Sequence, residues 1–303
     1  MAIEQLPDGV QLGVSPLSWT NEVLDDLGGE TPLETCLSHA RANGYEGVEL
    51  GRKFPRDPCL LRNTLASHKL ELVTGWYSGF LAERDVSAEM VAVEPHAKLL
   101  RDVGAKIIVY GPVGKMAPGA PLDLPMNERL VLDGGAVDSY GARLAEFTQR
   151  LEGEYGLTLA YHHHLMMVAE TFDEISSIID RARCGLLLDT GHAHAAGFEY
   201  TRLIERFGDL IRHIHLKDVR SERMEQVRDQ NLSFNTAVRM GMFTVPGDGD
   251  IDFAPLATYV KTSGYQGWMV VEAEQDPSLA EAEPEAATRR AFDHVTTLFG
   301  KSA

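Results

Sequence analysis

The sequence predicts an α/β fold, a single (β/α)8 TIM barrel that takes in residues 1–303 as one domain. Three observations predict it. Eight apolar, strand-like segments alternate strictly with eight helical ones, the pattern of a parallel sheet. Eight such units in a chain of 303 residues suit a closed barrel better than an open sheet, and no linker divides them. Ionisable residues then recur at equivalent places, the C-terminal ends of the late strands, where such barrels carry their active sites.

The first strand runs from Val10 to Leu17, with a polar loop through Trp19 and Asn21 behind it. Thr31 is expected to cap a helix, with Pro32 in the first turn and Glu34 closing a capping box. That helix stops at Asn43-Gly44. Gly47–Leu50 is a short second strand, followed by a helix over Asp57–His68 and a third strand over Glu71–Tyr77. Val91, Leu99, Leu100 and Val103 mark the face of a helix over Ser87–Val103, stopped by Gly104. Ala105–Tyr110 is the fourth strand. Gly111–Asp133 is a long connection, of the length that in compact domains usually serves function. Within it Gly111-Pro112-Val113-Gly114-Lys115 lacks the spacing and the Ser/Thr of a phosphate loop. A helix over Ala136–Tyr155 leads to the fifth strand at Leu157, and Thr171-Phe172-Asp173-Glu174 opens a helix ending near Arg183. The sixth strand begins at Gly185, a helix covers Glu199–Phe207, and the seventh strand begins at Ile211. Val219–Thr244 is a second long excursion, and Val245–Asp250 has turn chemistry. A helix over Phe253–Ser263, the last strand over Gly267–Glu274 and a helix over Glu283–Phe299 close the chain.

The late strands carry the chemistry. Leu157–His164 is an apolar run ending in three histidines, Leu186–His192 ends in Asp189 and His192, and Ile211–Asp218 carries His213 and His215. The last strand delivers Glu272 and Glu274. A lone strand histidine is usually a hydrogen-bonded core residue, and His163 and His213 are read so. His39 and His194 fall in helices or loops, and His68, His96 and His294 on helices. Burying Asp189, Glu272 and several histidines at one barrel end without a cation would be costly. The joint reading is therefore a divalent-metal site of nitrogen and carboxylate ligands, suited to manganese, cobalt, zinc or iron. His162 and His164 share a strand face, so the ligand from that strand is either of the two. Trp19 and Glu49 follow or end early strands and are candidate substrate contacts, as is Lys217, which follows His215.

Composition narrows the partners. Acidic residues outnumber basic ones by 45 to 28, a net charge of −17, which repels phosphate backbones and argues against nucleic acid. Three scattered cysteines, Cys36, Cys59 and Cys184, match neither a zinc spacing nor a disulfide framework and are expected as free thiols in a cytoplasmic protein. No leader peptide and no membrane span is expected. A small neutral or metal-chelating substrate fits this chain, and a homo-oligomer is compatible with it.

The motifs Tyr161-His162-His163-His164, Leu188-Asp189-Thr190-Gly191-His192 and His213-Ile214-His215-Leu216-Lys217-Asp218-Val219 resemble the xylose-isomerase-like barrel superfamily of sugar isomerases, epimerases and dehydratases. Ser15–Trp19, Phe243–Gly249 and Gly267-Trp268 through Val271-Glu272-Ala273-Glu274-Gln275-Asp276-Pro277 add to the likeness, and the last points within it to the inosose dehydratases. The superfamily commonly holds its metal with Glu, Asp, His and Glu. The resemblance thus implies Asp189, His215 and Glu272 as ligands, with His162 standing where the first Glu would be. It also implies Mn2+ or Co2+ as cofactor and a polyhydroxylated cyclic ketone, 2-keto-myo-inositol, as the substrate that loses water. His164 and His192 are then the acid/base candidates, since imidazole titrates near neutral pH, and Glu274 would orient ligand or substrate. A ketose isomerase or epimerase is the rival within the superfamily. A phosphodiester hydrolase and a non-catalytic sugar-binding protein are more distant ones.

Overall fold

A computed structural model describes residues 5–113, 121–129 and 131–301. Eight parallel strands close into a barrel in sequence order: β1 (Val10–Val14), β2 (Gly47–Leu50), β3 (Glu71–Gly79), β4 (Ile107–Pro112), β5 (Thr158–His162), β6 (Gly185–Asp189), β7 (Ile211–Leu216) and, after the short antiparallel ribbon β8 (Asp218–Val219) and β9 (Phe243–Thr244), β10 (Gly267–Val271). β10 pairs with both β7 and β1, and β1 with β2, so no barrel edge is left open.

Period-two alternation assigns each side chain to the inside or the outside. Leu186 and Leu188 face outward into the main core beneath the helices, whereas Leu187 meets Val109 and Ala160 inside the barrel. The same alternation carries Asp189 inward one step above Leu187, and the register sets Asp189 beside His215 and His215 beside Val270. Gly13 keeps the interior narrow, because a Cβ there would meet Val73 Cγ2 at 3.0 Å.

The outer layer contains α1 (Leu33–Asn43), α2 (Pro58–Ser67), α3 (Val86–Val103), α4 (Gly134–Tyr155), α5 (Phe172–Ala182), α7 (Thr201–Phe207), α10 (Ala254–Thr262) and α11 (Pro284–Phe299). A one-turn helix, α6 (Thr190–Ala195), leaves β6 directly, with Asp189 as its N-cap accepting from His192 N at 2.7 Å. The excursion after β7 is structured: α8 (Ser221–Asp229) and α9 (Phe234–Arg239) lie between the two strands of the ribbon. Leu27, Leu165, Met166, Phe234, Val238 and Phe243 belong to a second apolar cluster over the barrel mouth, separate from the main core. Arg239 pairs with both oxygens of Asp26, tying α9 to the loop behind β1. In the connection expected over Gly111–Asp133, residues 114–120 and 130 lie outside the described residues. The described part holds the 3-10 turns Pro121–Asp123 and Met126–Glu128, joined to the excursion by Met126 N donating to Leu232 O at 3.2 Å.

Several local expectations are corrected. α1 has no side-chain cap; Pro32, in extended backbone, occupies the N-cap position expected of Thr31. β1 ends at Val14 instead of Leu17, because Ser15 and Pro16 start a 3-10 turn over Pro16–Ser18. The last strand ends at Val271, although Glu272 N still donates to Leu216 O at 3.1 Å. α5, by contrast, opens with the expected capping box of Thr171 and Glu174, and its C-cap Arg183 adopts a left-handed φ of 48°. Cys36, Cys59 and Cys184 are free. Among the described residues no helix is long and apolar enough to cross a membrane.

The capping box gives a test in the outer helix layer. Thr171→Ala removes the acceptor for Glu174 N and should cost about 1 kcal/mol, a fall in Tm of roughly 1–2 °C for a domain of this size. Thr171→Ser should recover most of it. Thermal melts of the two variants decide, and an unchanged Tm in Thr171→Ala would remove the cap from the account.

Candidate metal centre and substrate cavity

β5, β6, β7 and β10 end on the same side of the barrel, and their last inward residues meet. His162, Asp189, His215 and Glu272 each bring one ligand atom to within 4.8 Å of the others, and all four are buried. Asp189 Oδ2 stands 3.5 Å from His162 Nε2 and 3.6 Å from His215 Nδ1, and His215 Nδ1 stands 3.0 Å from Glu272 Oε2. Neighbouring ligand atoms around a tetrahedral ion with bonds of about 2.0–2.2 Å are about 3.4 Å apart. The donor edges thus already have the dimensions of a small divalent ion's shell. His162 Nε2, Asp189 Oδ2 and His215 Nδ1 have no hydrogen-bond partner, an unusual condition for buried polar atoms that a shared cation would relieve.

Electrostatics show the same demand. Burial pushes the His162 imidazole down to about 4, against the pull of Asp189, and so keeps it a neutral lone-pair donor. Burial would raise Glu272, but His215 and Lys217 outweigh it and hold the carboxyl at about 2. Asp189 is held well below its usual range, its burial outweighed chiefly by the Lys217 ammonium. His215 is driven the other way: despite its burial, Glu272 and Glu49 raise it well above the ordinary imidazole range. Positive charge among these carboxylates is thus strongly favoured.

Glu49 explains how His215 is aimed. Its Oε1 lies 3.0 Å from His215 Nε2 and 3.1 Å from His213 Nε2. A proton on Nε2 held by a carboxylate leaves Nδ1 free to bind an ion, the common arrangement behind metal-ligating histidines. Glu49 was expected to touch substrate. It does line the cavity, but that oxygen is occupied with the two imidazoles. His163 points away from the centre, its Nε2 accepting from Asp189 N at 3.2 Å.

Above the centre opens a cavity of about 930 Å³, large enough for a small cyclic substrate. His162, His164, His215, Glu272 and Glu274 lie in its wall. His164 Nδ1 meets Leu165 O at 2.6 Å, and His164 Nε2 stands 3.6 Å from Glu274 Oε1. His192 does not line the cavity. It is buried behind His164 with ring centroids 3.8 Å apart, and its Nε2 accepts from Lys217 Nζ at 3.1 Å. Lys217 is also absent from the wall, being fully buried under Glu272 and Glu274. Trp19 is a plain correction. The 3-10 turn after β1 rotates it into the core, 2% exposed, with Nε1 donating to His39 Nδ1 at 3.3 Å.

Trp76 is the aromatic wall that the sequence reading missed. It stands edge-on to His162 at 5.3 Å and to His164 at 6.0 Å. Its signal was Gly111, where a Cβ would fall 1.9 Å from the indole. Phe234, Asn235 and Asp123 also line the cavity, with Asn235 Nδ2 donating to Asp123 Oδ1 at 2.7 Å. They come from the two long connections, whose placement over the mouth no local pattern announces.

The sequence profile described as "Xylose isomerase-like TIM barrel" matches residues 37–298. The chain belongs to the xylose isomerase-like TIM barrel family. Within reach of it are the rhizopine catabolism protein MocC of Rhizobium meliloti, 42% identical over 273 residues, covering 89% of this chain and 83% of that protein, and the inosose dehydratase of Geobacillus thermodenitrificans, 37% identical over 284 residues, covering 89% and 92%. Among solved structures the fold is shared with the IOLI protein crystallised with a zinc atom, at TM-score 0.70 and 18% identity over 96% of this chain and all of that one. It is also shared with AsbF, a probable 3-DHS dehydratase from Bacillus anthracis, at TM-score 0.68 and 13% identity over 95% and 98%. Where the resemblance implied a glutamate, this xylose isomerase-like barrel brings His162 to the centre from β5.

Two outcomes follow for the centre. Asp189→Ala and Glu272→Ala should each abolish stoichiometric metal binding, measured by elemental analysis after dialysis. Glu49→Gln keeps every ligand but loosens the aim of His215, and should weaken metal affinity by roughly 10–100-fold. Full occupancy in the alanine variants would exclude both carboxylates as ligands, and unaltered affinity in Glu49→Gln would leave the His215–Glu49 contact without a role.

Proposed function

We propose that this protein is a metal-dependent hydro-lyase that removes water from a keto-cyclitol, converting 2-keto-myo-inositol to a trihydroxycyclohexanedione in inositol catabolism. The observation that carries the reading is the 37% identity to an inosose dehydratase over 89% of this chain and 92% of that enzyme. The metal-ready donor set beneath a cavity of fitting size supports it. His162, Asp189, His215 and Glu272 would hold the ion; two imidazoles and two carboxylates without thiolate suit Mn2+ or Co2+. When bound, the ion supplies Lewis-acid polarisation of the ketone oxygen.

The remaining steps belong to side chains. His164 carries the proton. Its Nδ1–H is fixed on Leu165 O, which leaves Nε2 to accept the proton α to the carbonyl. As that C–H bond breaks, its electron pair moves into an enolate, which then expels the β-hydroxyl. That hydroxyl takes the proton back from His164 and leaves as water, and the enol so formed, with its double bond between the α and β carbons, tautomerises to the dione. Glu274, beside His164 Nε2, stabilises the imidazolium between the two transfers. Trp76 offers an apolar face to the C–H side of the ring, and Asn235 and Asp123 offer polar partners to its hydroxyls. His192, packed behind His164 with its ring tilted by 43°, positions it.

Mass spectrometry on the metal-loaded protein, incubated with a panel of keto-cyclitols and ketoses, tests the class of reaction. Loss of one water from 2-keto-myo-inositol is expected. An unchanged mass with a new stereoisomer would make the protein an epimerase or isomerase instead. His164→Ala should keep the ion and lower turnover by roughly 10²- to 10⁴-fold, whereas His162→Ala should lower metal affinity. Metal content and turnover of the two variants, measured together, distinguish carrier from ligand.

A further inference from the structure

Lys217 is the first residue past β7, and its side chain is fully buried. A buried ammonium is costly unless acceptors surround it, and here they do. Nζ lies 2.8 Å from Glu272 Oε2, 2.8 Å from Glu274 Oε2, 3.1 Å from His192 Nε2 and 3.7 Å from Asp189 Oδ2. An ammonium has three protons to give. Two carboxylates and an imidazole surround them much as ligands surround a metal ion. The backbone is arranged to admit this side chain. Thr190 Oγ1 donates to Lys217 O at 2.7 Å and accepts from Lys217 N at 3.1 Å. Gly191 clears the stem's path, since a Cβ there would come within 2.5 Å of Lys217 Cγ.

Two of the groups around that ammonium, His192 and Glu274, make a second ligand set with His164. His164, His192 and Glu274 each offer an atom within 4.8 Å of the others. Glu274 Oε1 is 3.6 Å from His164 Nε2, and Glu274 Oε2 is 3.7 Å from His192 Nε2. These edges are close to the roughly 3.4 Å between ligands of a small tetrahedral ion, and Glu272, already shared with the first centre, stands ready as a fourth donor. We propose that the Lys217 ammonium occupies the place of a second divalent ion, and that this built-in cation keeps the centre mononuclear. One divalent ion and one ammonium match Asp189, Glu272 and Glu274 charge for charge. The ammonium also links the two clusters: it touches Glu272 of the first and Glu274 and His192 of the second. The inference rests on the reading of the first cluster as a metal centre.

Lys217→Met keeps most of the stem's volume and removes the charge. Metal-free protein is dialysed against excess Mn2+ or Zn2+ and its metal content counted per chain. One ion is expected in the unaltered protein and in Lys217→Arg, two in Lys217→Met, and one again in Lys217→Met combined with Glu274→Gln. A Lys217→Met chain that holds one ion or fewer overturns the proposal and leaves the first centre standing. An unaltered protein that holds none contradicts the metal centre itself. If Lys217→Met folds only with metal, the equivalents needed to restore its circular dichroism spectrum give the same count, with two expected and one contradictory. Failure to fold at any metal concentration also overturns the proposal, since no ion then replaces the ammonium.

Discussion

The convergence of four carboxylates at one mouth of the barrel, three of them buried and Glu274 partly so, is the constraint on which the rest of this structure depends. Asp189, Glu49, Glu272 and Glu274 converge from β6, β2 and the end of β10 at the floor of the cavity. An uncompensated buried charge costs several kcal/mol, so each carboxylate must find a cation or a donor. Glu49 finds two imidazoles, Glu274 finds Lys217, and Asp189 and Glu272 share Lys217 and His215. His215 Nδ1 is the atom through which a metal ion can enter this arrangement, because it faces both carboxylates and Glu49 leaves it free.

A parallel barrel is well suited to assembling such a set. Its strands finish at one level, and period-two alternation sends every second side chain inward. One residue of shift in any strand would send a ligand out into the helix layer. The apolar outward positions, such as Leu186 and Leu188 on β6, therefore secure the chemistry as well as the core. The mouth is then roofed by segments that do not belong to the barrel. The second apolar cluster anchors Phe234 on α9, and Arg239 clamps the same helix to Asp26.

What could be read from the sequence follows this division of labour. Barrel closure was legible in the count of βα units, and the outward turn of His163 in local alternation; alternation left His162 and His164 as alternatives, and the structure brings His162 together with Asp189, His215 and Glu272. Long-range contacts were not legible. Trp19 looked like a rim residue because β1 was read past Val14, yet a single 3-10 turn buries it against His39. Trp76 looked like a strand residue, and only the room left by Gly111 marks its place at the cavity. His192 sits near Asp189 in sequence, but α6 turns it behind His164 instead of across the mouth. Asp123 and Asn235 meet across 112 residues of chain, which no periodicity encodes.

Among the described residues three neighbouring clusters of ligand-capable groups crowd the barrel mouth, so the position of the ion tests the central claim most directly. Crystals of Mn2+-loaded protein, measured for anomalous scattering, locate it without reference to activity. The account predicts one strong peak at about 2.0–2.2 Å from His162 Nε2, Asp189 Oδ2, His215 Nδ1 and Glu272 Oε2. A peak among Glu49, His213 and His215, or among His164, His192 and Glu274, or no peak at all, would contradict it.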